Sequence, residues 1–292
     1  MNNLSGFLEL LKGPLKILSG NGKLMAITAI LYLIFYSISF TFYTYSSNPL
    51  ITDLVIIFRT LVMEHPDTPE YAKLLVALRE EIGIFLGIKT IYVVLLFFIM
   101  ILAQTAIVII SSSYYGGVNL SLKELLMKVS RTWTRPFVTS FYVQLLTLGY
   151  MSIFFWPLLV PSLLLFNHRT FLIILLVFLG ILIITLYLYL SVVWGLAVVV
   201  SVVEDSYGIS ALGKARELVK GKMVHGFLLN LFFVLGFMVI GGNKYVFTWI
   251  LSIYQFMAYS VFYFQCNTKM KPSEGLEYSE IPSAPILNED IP

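Results

Sequence analysis

Residues 170–203 are the longest stretch of this sequence without a charged side chain. The run has 34 residues, which as an α-helix would be about 51 Å long at 1.5 Å per residue. A helix needs about 20 apolar residues to cross a hydrocarbon core about 30 Å thick. Because no turn signal divides the run, the sequence predicts one long tilted membrane helix, which bends near Gly195 or extends beyond the bilayer.

The rest of the chain has the same apolar character. Hydrophobic residues make up 59% and charged residues 12%, against roughly 25% charged in soluble proteins. The sequence therefore predicts an all-α fold, a polytopic membrane helical bundle of six spans. The predicted spans are residues 24–45, 90–110, 136–157, 170–203, 223–240 and 245–266.

A short basic amphipathic segment, here called an elbow, precedes each pair of spans. The elbows lie at residues 3–20, 121–135 and 206–221, so the chain repeats the order elbow, span, span three times. Gly13-Pro14 is expected to interrupt the first elbow, and Asn21-Gly22 is expected to break the chain before the first span. The first unit carries an insertion, residues 48–85, predicted as two amphipathic helices with Thr68 as the N-cap of the second. The tail, residues 267–292, is rich in Pro, Ser and Glu and is predicted to be disordered.

Lysine and arginine indicate the orientation of the bundle. Of the 19 such residues, about two thirds fall on the side of the termini and the elbows. Positive residues favour the cytosol, so both termini are predicted to be cytosolic, in an endomembrane or the plasma membrane, with the insertion on the other side. The net charge of +3 gives no footprint for nucleic acid.

Recognisable catalytic motifs are missing from the sequence. It has no Gly-rich phosphate loop, no GxSxG and no HExxH, and His65, His168 and His225 are far apart. One cysteine, Cys266, excludes an intramolecular disulfide and a cysteine-built metal site. We therefore expect a protein that is not an enzyme and that holds no cofactor or metal.

Four amides interrupt the apolar spans: Gln104, Gln144, Asn230 and Gln255. Two interpretations remain open for them. They either form hydrogen bonds between helices, worth on the order of 0.6–2 kcal/mol each. Or they line a polar pocket that opens to the cytosol and binds a lipid headgroup or a small polar solute.

The elbows carry the second set of candidate residues. Glu204 and Asp205 follow a long apolar helix, and Glu204 is expected to pair with a cation of its own elbow or of the elbow 121–135. Alternatively, the basic residues face anionic membrane lipid, at about 1 kcal/mol per charge. The candidates for ion pairs or headgroup contacts are Glu204, Asp205, Lys214, Arg216, Lys220, Lys123, Lys128 and Arg131.

The run VVVSVVEDSYGISALGKARELVKGKMVHGF, residues 198–227, resembles a family of plant multi-pass membrane proteins of unknown function. It is also similar to the membrane domain that precedes some bacterial glycerophosphodiester phosphodiesterases. The resemblance implies a six-helix integral membrane protein. No phosphodiesterase domain is present, so that activity is not implied.

These observations lead to two functional hypotheses. The first is a non-catalytic membrane protein that associates with membrane lipids or serves as a scaffold for a partner. The alternative is a carrier of a neutral or lipid-like solute, favoured if the three units enclose a cavity. A protein partner and a homo-oligomer are both left open.

Overall fold

The computed structural model describes residues 3–164, 169–240 and 245–267, and in this part of the chain the fold is all-α. It confirms the predicted fold class. His168 and residues 268–292 of the predicted disordered tail lie outside the described residues. The eight helices are α1 (Asn3–Met63), α2 (Pro69–Tyr115), α3 (Leu122–Thr132), α4 (Thr134–Leu164), α5 (Arg169–Val203), α6 (Ile209–Val219), α7 (Met223–Ile240) and α8 (Tyr245–Cys266).

Within the described residues, four helices are long and apolar enough to cross a membrane: α1, α2, α4 and α5. A fifth crossing is added if α6 and α7, which meet at 109°, form one bent span. The long run 170–203 is a single helix, α5, as predicted. Helix α8 has the length of a span, but its two glutamines and four tyrosines lower its mean hydropathy. That the chain crosses the membrane six times stays a prediction.

Residues 48–85 differ from the prediction. They do not form two separate amphipathic helices but continue the two membrane helices: α1 runs through Pro49 to Met63, and α2 runs from Pro69 to Tyr115 without a break. Proline removes one backbone hydrogen bond from a helix interior. Helix α1 nevertheless stays helical beyond Pro49, where it packs extensively against α2.

Helices α1 and α2 form an antiparallel coiled coil, here called the hairpin. Shielded positions recur at alternating steps of four and three residues, the spacing of a coiled-coil seam. Tyr43 and Tyr92 stack across this seam with ring centroids 4.2 Å apart. The predicted N-cap is confirmed, since the Tyr71 amide donates to Thr68 Oγ1 at 3.2 Å. The seam consists of Tyr43, Ser47, Leu50, Leu54, Ile57 and Leu61 on α1 and Leu74, Leu78, Glu81, Phe85, Ile88 and Tyr92 on α2.

The core lies at one end of the bundle, next to the elbows, here called the elbow end. Helix α5 is central there and packs against α2, α4, α6, α7 and α8. Val192, Leu196 and Val200 of α5 have no exposed surface, nor has Phe262 of α8. Gly226 of α7 lets that helix approach Val192 so closely that a Cβ atom would collide with it.

The first elbow is the start of α1. Asn21 has non-helical angles (φ −126°, ψ 33°), which confirms the predicted break before the first span. Gly13-Pro14, predicted to interrupt the elbow, is instead buried inside its helix. Gly6, Gly13 and Gly20 recur every seventh residue and contact His225, Val261 and Tyr114, respectively. This spacing lets the elbow pack closely across the ends of α7, α8 and α2.

The element order reproduces the three-unit pattern of elbow, helix, helix. The second and third units also share their buried positions. Leu125 and Val129 of α3 correspond to Ala215 and Val219 of α6, and at the same spacing Ser140 of α4 corresponds to Asn230 of α7. The repeat is therefore one of helix order and burial rather than of residue identity.

Replacing Glu81 by leucine should stabilise the hairpin. Glu81 occupies an inward position of the seam, and its Oε2 is buried without a hydrogen-bond partner in the described part of the chain. Removing a buried unpaired polar group should raise the free energy of unfolding by about 1–3 kcal/mol. Thermal unfolding of the purified protein in detergent measures this. Glu80→Leu, at an exposed position, is the control and should shift stability by less than about 0.5 kcal/mol. A lower Tm for Glu81→Leu would contradict the seam.

Candidate functional site

The four amides predicted as a polar pocket line one cavity of about 280 Å³. Gln104 comes from α2, Gln144 from α4, Asn230 from α7 and Gln255 from α8. Central helix α5 adds further lining residues, Ser191, Trp194 and Gly195 among them, and α1 adds none. The cavity is thus enclosed by helices of all three units.

The fold brings these amides to one level of the bundle. Gln104 and Gln255 stand the same number of residues before the C-terminal ends of α2 and α8, at a depth of roughly 17 Å by helical rise. Asn230 lies two turns after the start of α7. Because these helix ends meet at the elbow end, the amides form a polar layer just beyond the core.

Asn230 is already bonded to a neighbouring helix. Its Nδ2 donates to the carbonyl oxygen of Leu188 at 3.2 Å and also to Oγ of Ser191. Both acceptors belong to α5, so Asn230 ties α7 to the central helix. Of the two interpretations of the amides, the helix-to-helix hydrogen bond describes Asn230.

The three glutamines are different. Among the described residues, none of Gln104, Gln144 and Gln255 takes part in a hydrogen bond with another side chain or with the backbone. Gln104 is only 8% exposed, so water does not reach most of its surface. Its amide atoms are not among the described side-chain atoms that are fully buried without a partner, so its small exposed surface includes the amide group. Gln104 thus presents an unused carbonyl oxygen and an unused amide NH₂ group to the cavity.

The cavity lining contains no Asp, Glu, Lys, Arg or His. Its polar groups are the amides, two serines, Trp194 and the hydroxyls of Tyr187 and Tyr259. Such groups donate and accept hydrogen bonds, but they cannot neutralise a buried charge. The described residues also contain no cluster of three His, Cys, Asp or Glu that could hold a metal. The arrangement suits recognition of a neutral polar group.

The opening of the cavity differs from the one expected from the sequence. We expected access from the elbow side, but the core, with Ile107 and Ile110 of α2 and Leu196 of α5, lies between the cavity and that end. Helix α4 packs mainly on α5 and much less on α2. Gln144 and Met100 are exposed beside this looser contact. The cavity therefore opens sideways, between α2 and α4.

The acidic pair after α5 joins three helices. Glu204 accepts a hydrogen bond from Nζ of Lys214 at 3.1 Å and another from the hydroxyl of Tyr263 at 2.7 Å. Asp205 pairs with Arg135 of α4. The structure thus contains the expected pair between Glu204 and Lys214, and the arginine of the elbow 121–135 pairs with Asp205 instead of Glu204.

Other basic candidates stay unpaired. Lys123, Lys128 and Arg131 of α3 and Arg216 and Lys220 of α6 are exposed and form no ion pair with any described residue. Their charges are free to face water or lipid headgroups.

A capping box begins α3. The backbone N–H of Ser121 donates to Oε2 of Glu124 at 2.9 Å, and the Glu124 amide donates back to Ser121 Oγ at 3.3 Å. These hydrogen bonds hold the pKa of Glu124 below its ordinary value, and the one that the backbone N–H of Ser121 donates has the largest effect. They contribute to the stability of α3 at neutral pH, and this contribution is lost as the pH falls through the lowered pKa.

Two hydrogen bonds at the elbow end could not be predicted from the sequence. The Tyr254 hydroxyl donates to the carbonyl oxygen of Leu11, and Nζ of Lys222 donates to the carbonyl oxygen of Gln265. Both join residues far apart in the chain, and neither residue stands in a motif. Only the basic character of residues 214–222 hinted at Lys222.

Comparison with known proteins gives one match. Residues 1–271 match a family described as a domain of unknown function, DUF8558. Neither the curated proteins nor the solved structures contain a match to the chain.

Replacing Glu204 by glutamine should loosen the joint between α5, α6 and α8. The change removes the charge that Lys214 faces and weakens the acceptor of Tyr263, so we expect a loss of about 1 kcal/mol, since the ion pair is partly solvent-screened. Thermal unfolding in detergent is the measurement. Glu217→Gln, on the exposed face of α6 and outside any ion pair among the described residues, is the matched control. Equal Tm values for the two variants would contradict the role of Glu204.

Proposed function

The chain belongs to the DUF8558 family, and from this premise we propose that it is a non-catalytic integral membrane protein that binds a neutral, lipid-like molecule between α2, α4, α5, α7 and α8. The observation that carries the proposal is Gln104, a buried amide without a partner among the described residues, beside an open volume. A ligand polar group would supply the hydrogen bonds that the fold leaves unmade.

The chemistry of the lining defines the ligand class. A charged head would lose its hydration in the cavity without meeting an opposite charge, and that loss is far larger than any gain from amide hydrogen bonds. A hydroxyl or amide head loses less and can be fully paired by the glutamines. We therefore propose a neutral head with both donors and acceptors.

The shape of the site indicates a ligand with an apolar tail. The cavity volume of about 280 Å³ lies at the lower end of the range for ligand pockets, about 300–1,000 Å³. It accommodates a head group, while a tail would leave through the side opening past Met100 and Gln144. A molecule that enters from a bilayer fits this geometry.

Several features of the account remain proposals on the basis of the sequence. They are the multi-pass topology with both termini in the cytosol, an endomembrane or plasma membrane location, and the resemblance of residues 198–227 to plant membrane proteins and to the bacterial phosphodiesterase membrane domain. The exposed cations of α3 and α6 support contact with anionic lipid.

A second candidate is a carrier of a neutral or lipid-like solute. It is favoured by one observation: helices from all three repeated units surround the cavity, as substrate sites of carriers lie between repeats. Reconstituted vesicles separate the two candidates. A carrier accelerates the exchange of a fluorescent diacylglycerol between leaflets, whereas a binding protein leaves the exchange rate unchanged.

Replacing Gln104 by leucine should abolish ligand binding without loss of stability. Native mass spectrometry of the purified protein should show a co-purifying neutral lipid on the wild type and none on Gln104→Leu, while the Tm of the lipid-free protein stays about equal because the amide of Gln104 forms no hydrogen bond with a described residue. Thr105→Val is the control. Thr105 is buried next to Gln104 but bonds to its own helix and does not line the cavity, so this variant should keep the lipid.

Two results would contradict the proposal. One is an equal amount of bound lipid on Gln104→Leu and the wild type. The other is a wild-type protein, gently extracted, that carries no lipid and gains no stability from added diacylglycerol.

A further inference from the structure

The hairpin extends well beyond the uncharged parts of α1 and α2. Counted from the elbow end, the first charged residue after Lys23 on α1 is Asp53, and the first on α2 is Lys89. Charged residues are frequent from there to the tip, which keeps this part out of a hydrocarbon core. The remaining charged residues of the tip are Arg59, Glu64, Asp67, Glu70, Lys73, Arg79, Glu80 and Glu81.

This outer part of the hairpin carries a groove with a volume of about 690 Å³. Its walls are apolar with one exception, Arg59. Phe58 is 59% exposed and Val62 is 70% exposed, values unusual for large apolar side chains outside a membrane. The lining consists of Ile51, Leu54, Val55, Phe58, Arg59, Val62 and Met63 on α1 and Leu78, Ile82 and Phe85 on α2.

Most of the residues that α1 contributes to the groove are not needed to hold the hairpin together. The seam between α1 and α2 uses Leu50, Leu54, Ile57 and Leu61, whereas Ile51, Val55, Phe58 and Val62 form a second stripe beside it. One helix thus has two apolar stripes, of which only the first is covered by its partner. The second stripe is free for a ligand.

The groove itself contains one charged side chain, the cation Arg59, and the nearest carboxylate, Glu81, lies at an inward position of the seam beside Leu78 and Phe85. By helical spacing, Arg79 and Lys89 lie on the same face of α2 as the lining residue Ile82. None of these three cations forms an ion pair with a described residue. Asp53 and Glu80 fall on the opposite faces of their helices. Because Arg59 is the charged residue that lines the groove, the site favours an occupant that combines an apolar body with a negative group.

We propose that the groove binds a single-chain amphiphile with an anionic head, of the fatty acid class. The carboxylate binds to Arg59 near the tip, and the chain runs along Phe58 and Val55 towards Ile51 and Phe85, on the bilayer side. Arginine is suited to this role because its guanidinium pairs with a carboxylate through two parallel hydrogen bonds. The volume falls within the range for small-molecule sites.

A second copy of the chain fits the groove less well. In a two-fold dimer the same patch lies on both sides of the interface, so the cations of one copy would face those of the other. Like charges across an interface oppose association. This site is also separate from the amide cavity, which lies in the bundle and contains no cation.

The test uses palmitic acid that carries a diazirine near the chain end, added to the full-length protein in nanodiscs and activated by light. Mass spectrometry of the peptides should place adducts on residues 51–58 and 82–85. Arg59→Gln should reduce these adducts about tenfold, the equivalent of one charge-assisted hydrogen bond. Val55→Gln should reduce the adducts to a similar extent, because it places a polar group in the apolar lining of the groove. Ile56→Gln, at an exposed position outside the groove, is the matched control and should leave them unchanged.

Two further arms keep the result interpretable. The diazirine alcohol of the same chain length should label the groove far less than the acid, because it lacks the charge that Arg59 binds. Adducts near Gln104 report on the other cavity and are scored separately. The proposal is overturned if Arg59→Gln and wild type are labelled equally, if the alcohol labels as well as the acid, or if the groove is unlabelled and instead mediates a dimer that Val62→Gln dissociates.

Discussion

The close packing of α5 at the elbow end is the constraint on which the rest of the structure depends. Gly226 brings α7 against Val192, and a Cβ on Gly195 would stand only 2.7 Å from the ring of Tyr259, so α5 and α8 also nearly touch. Because the neighbouring helices are held so closely at this end, their amides are placed at one level. Away from the core α4 contacts α2 only slightly, and a cavity with unpaired glutamines is left between them.

Much of the architecture could be predicted from the sequence because hydrophobicity alone specifies it. The uncharged run 170–203 predicted α5, Asn21 marked the first break, and Thr68-Pro69 marked the start of α2. The amides could be identified for the same reason: polar groups are conspicuous in apolar helices. Gln255 was expected to lie deeper than the other three amides, but α2 extends beyond its predicted end, so Gln104 and Gln255 stand equally far from the ends of their helices.

Other features depend on contacts between distant residues, which periodicity does not reveal. The heptad seam of the hairpin was not recognised from the sequence because the second, uncovered stripe made residues 48–85 resemble two separate amphipathic helices. The side opening of the cavity exists because α4 packs mainly against α5 and much less against α2. The glycines of the first elbow matter only through His225, Val261 and Tyr114, residues of three other helices.

The closeness of α5 and α7 is the central claim, and a disulfide tests it most directly. In a Cys266→Ser background, Val192→Cys and Gly226→Cys place two thiols at the point where the helices touch, within the reach of a disulfide, about 3.5–4.5 Å between Cβ atoms. Mild oxidation should join them within one chain, and Ile173→Cys, near the far end of α5, should not react with Gly226→Cys. If the first pair stays reduced, or joins only between chains, the arrangement of helices described here is contradicted.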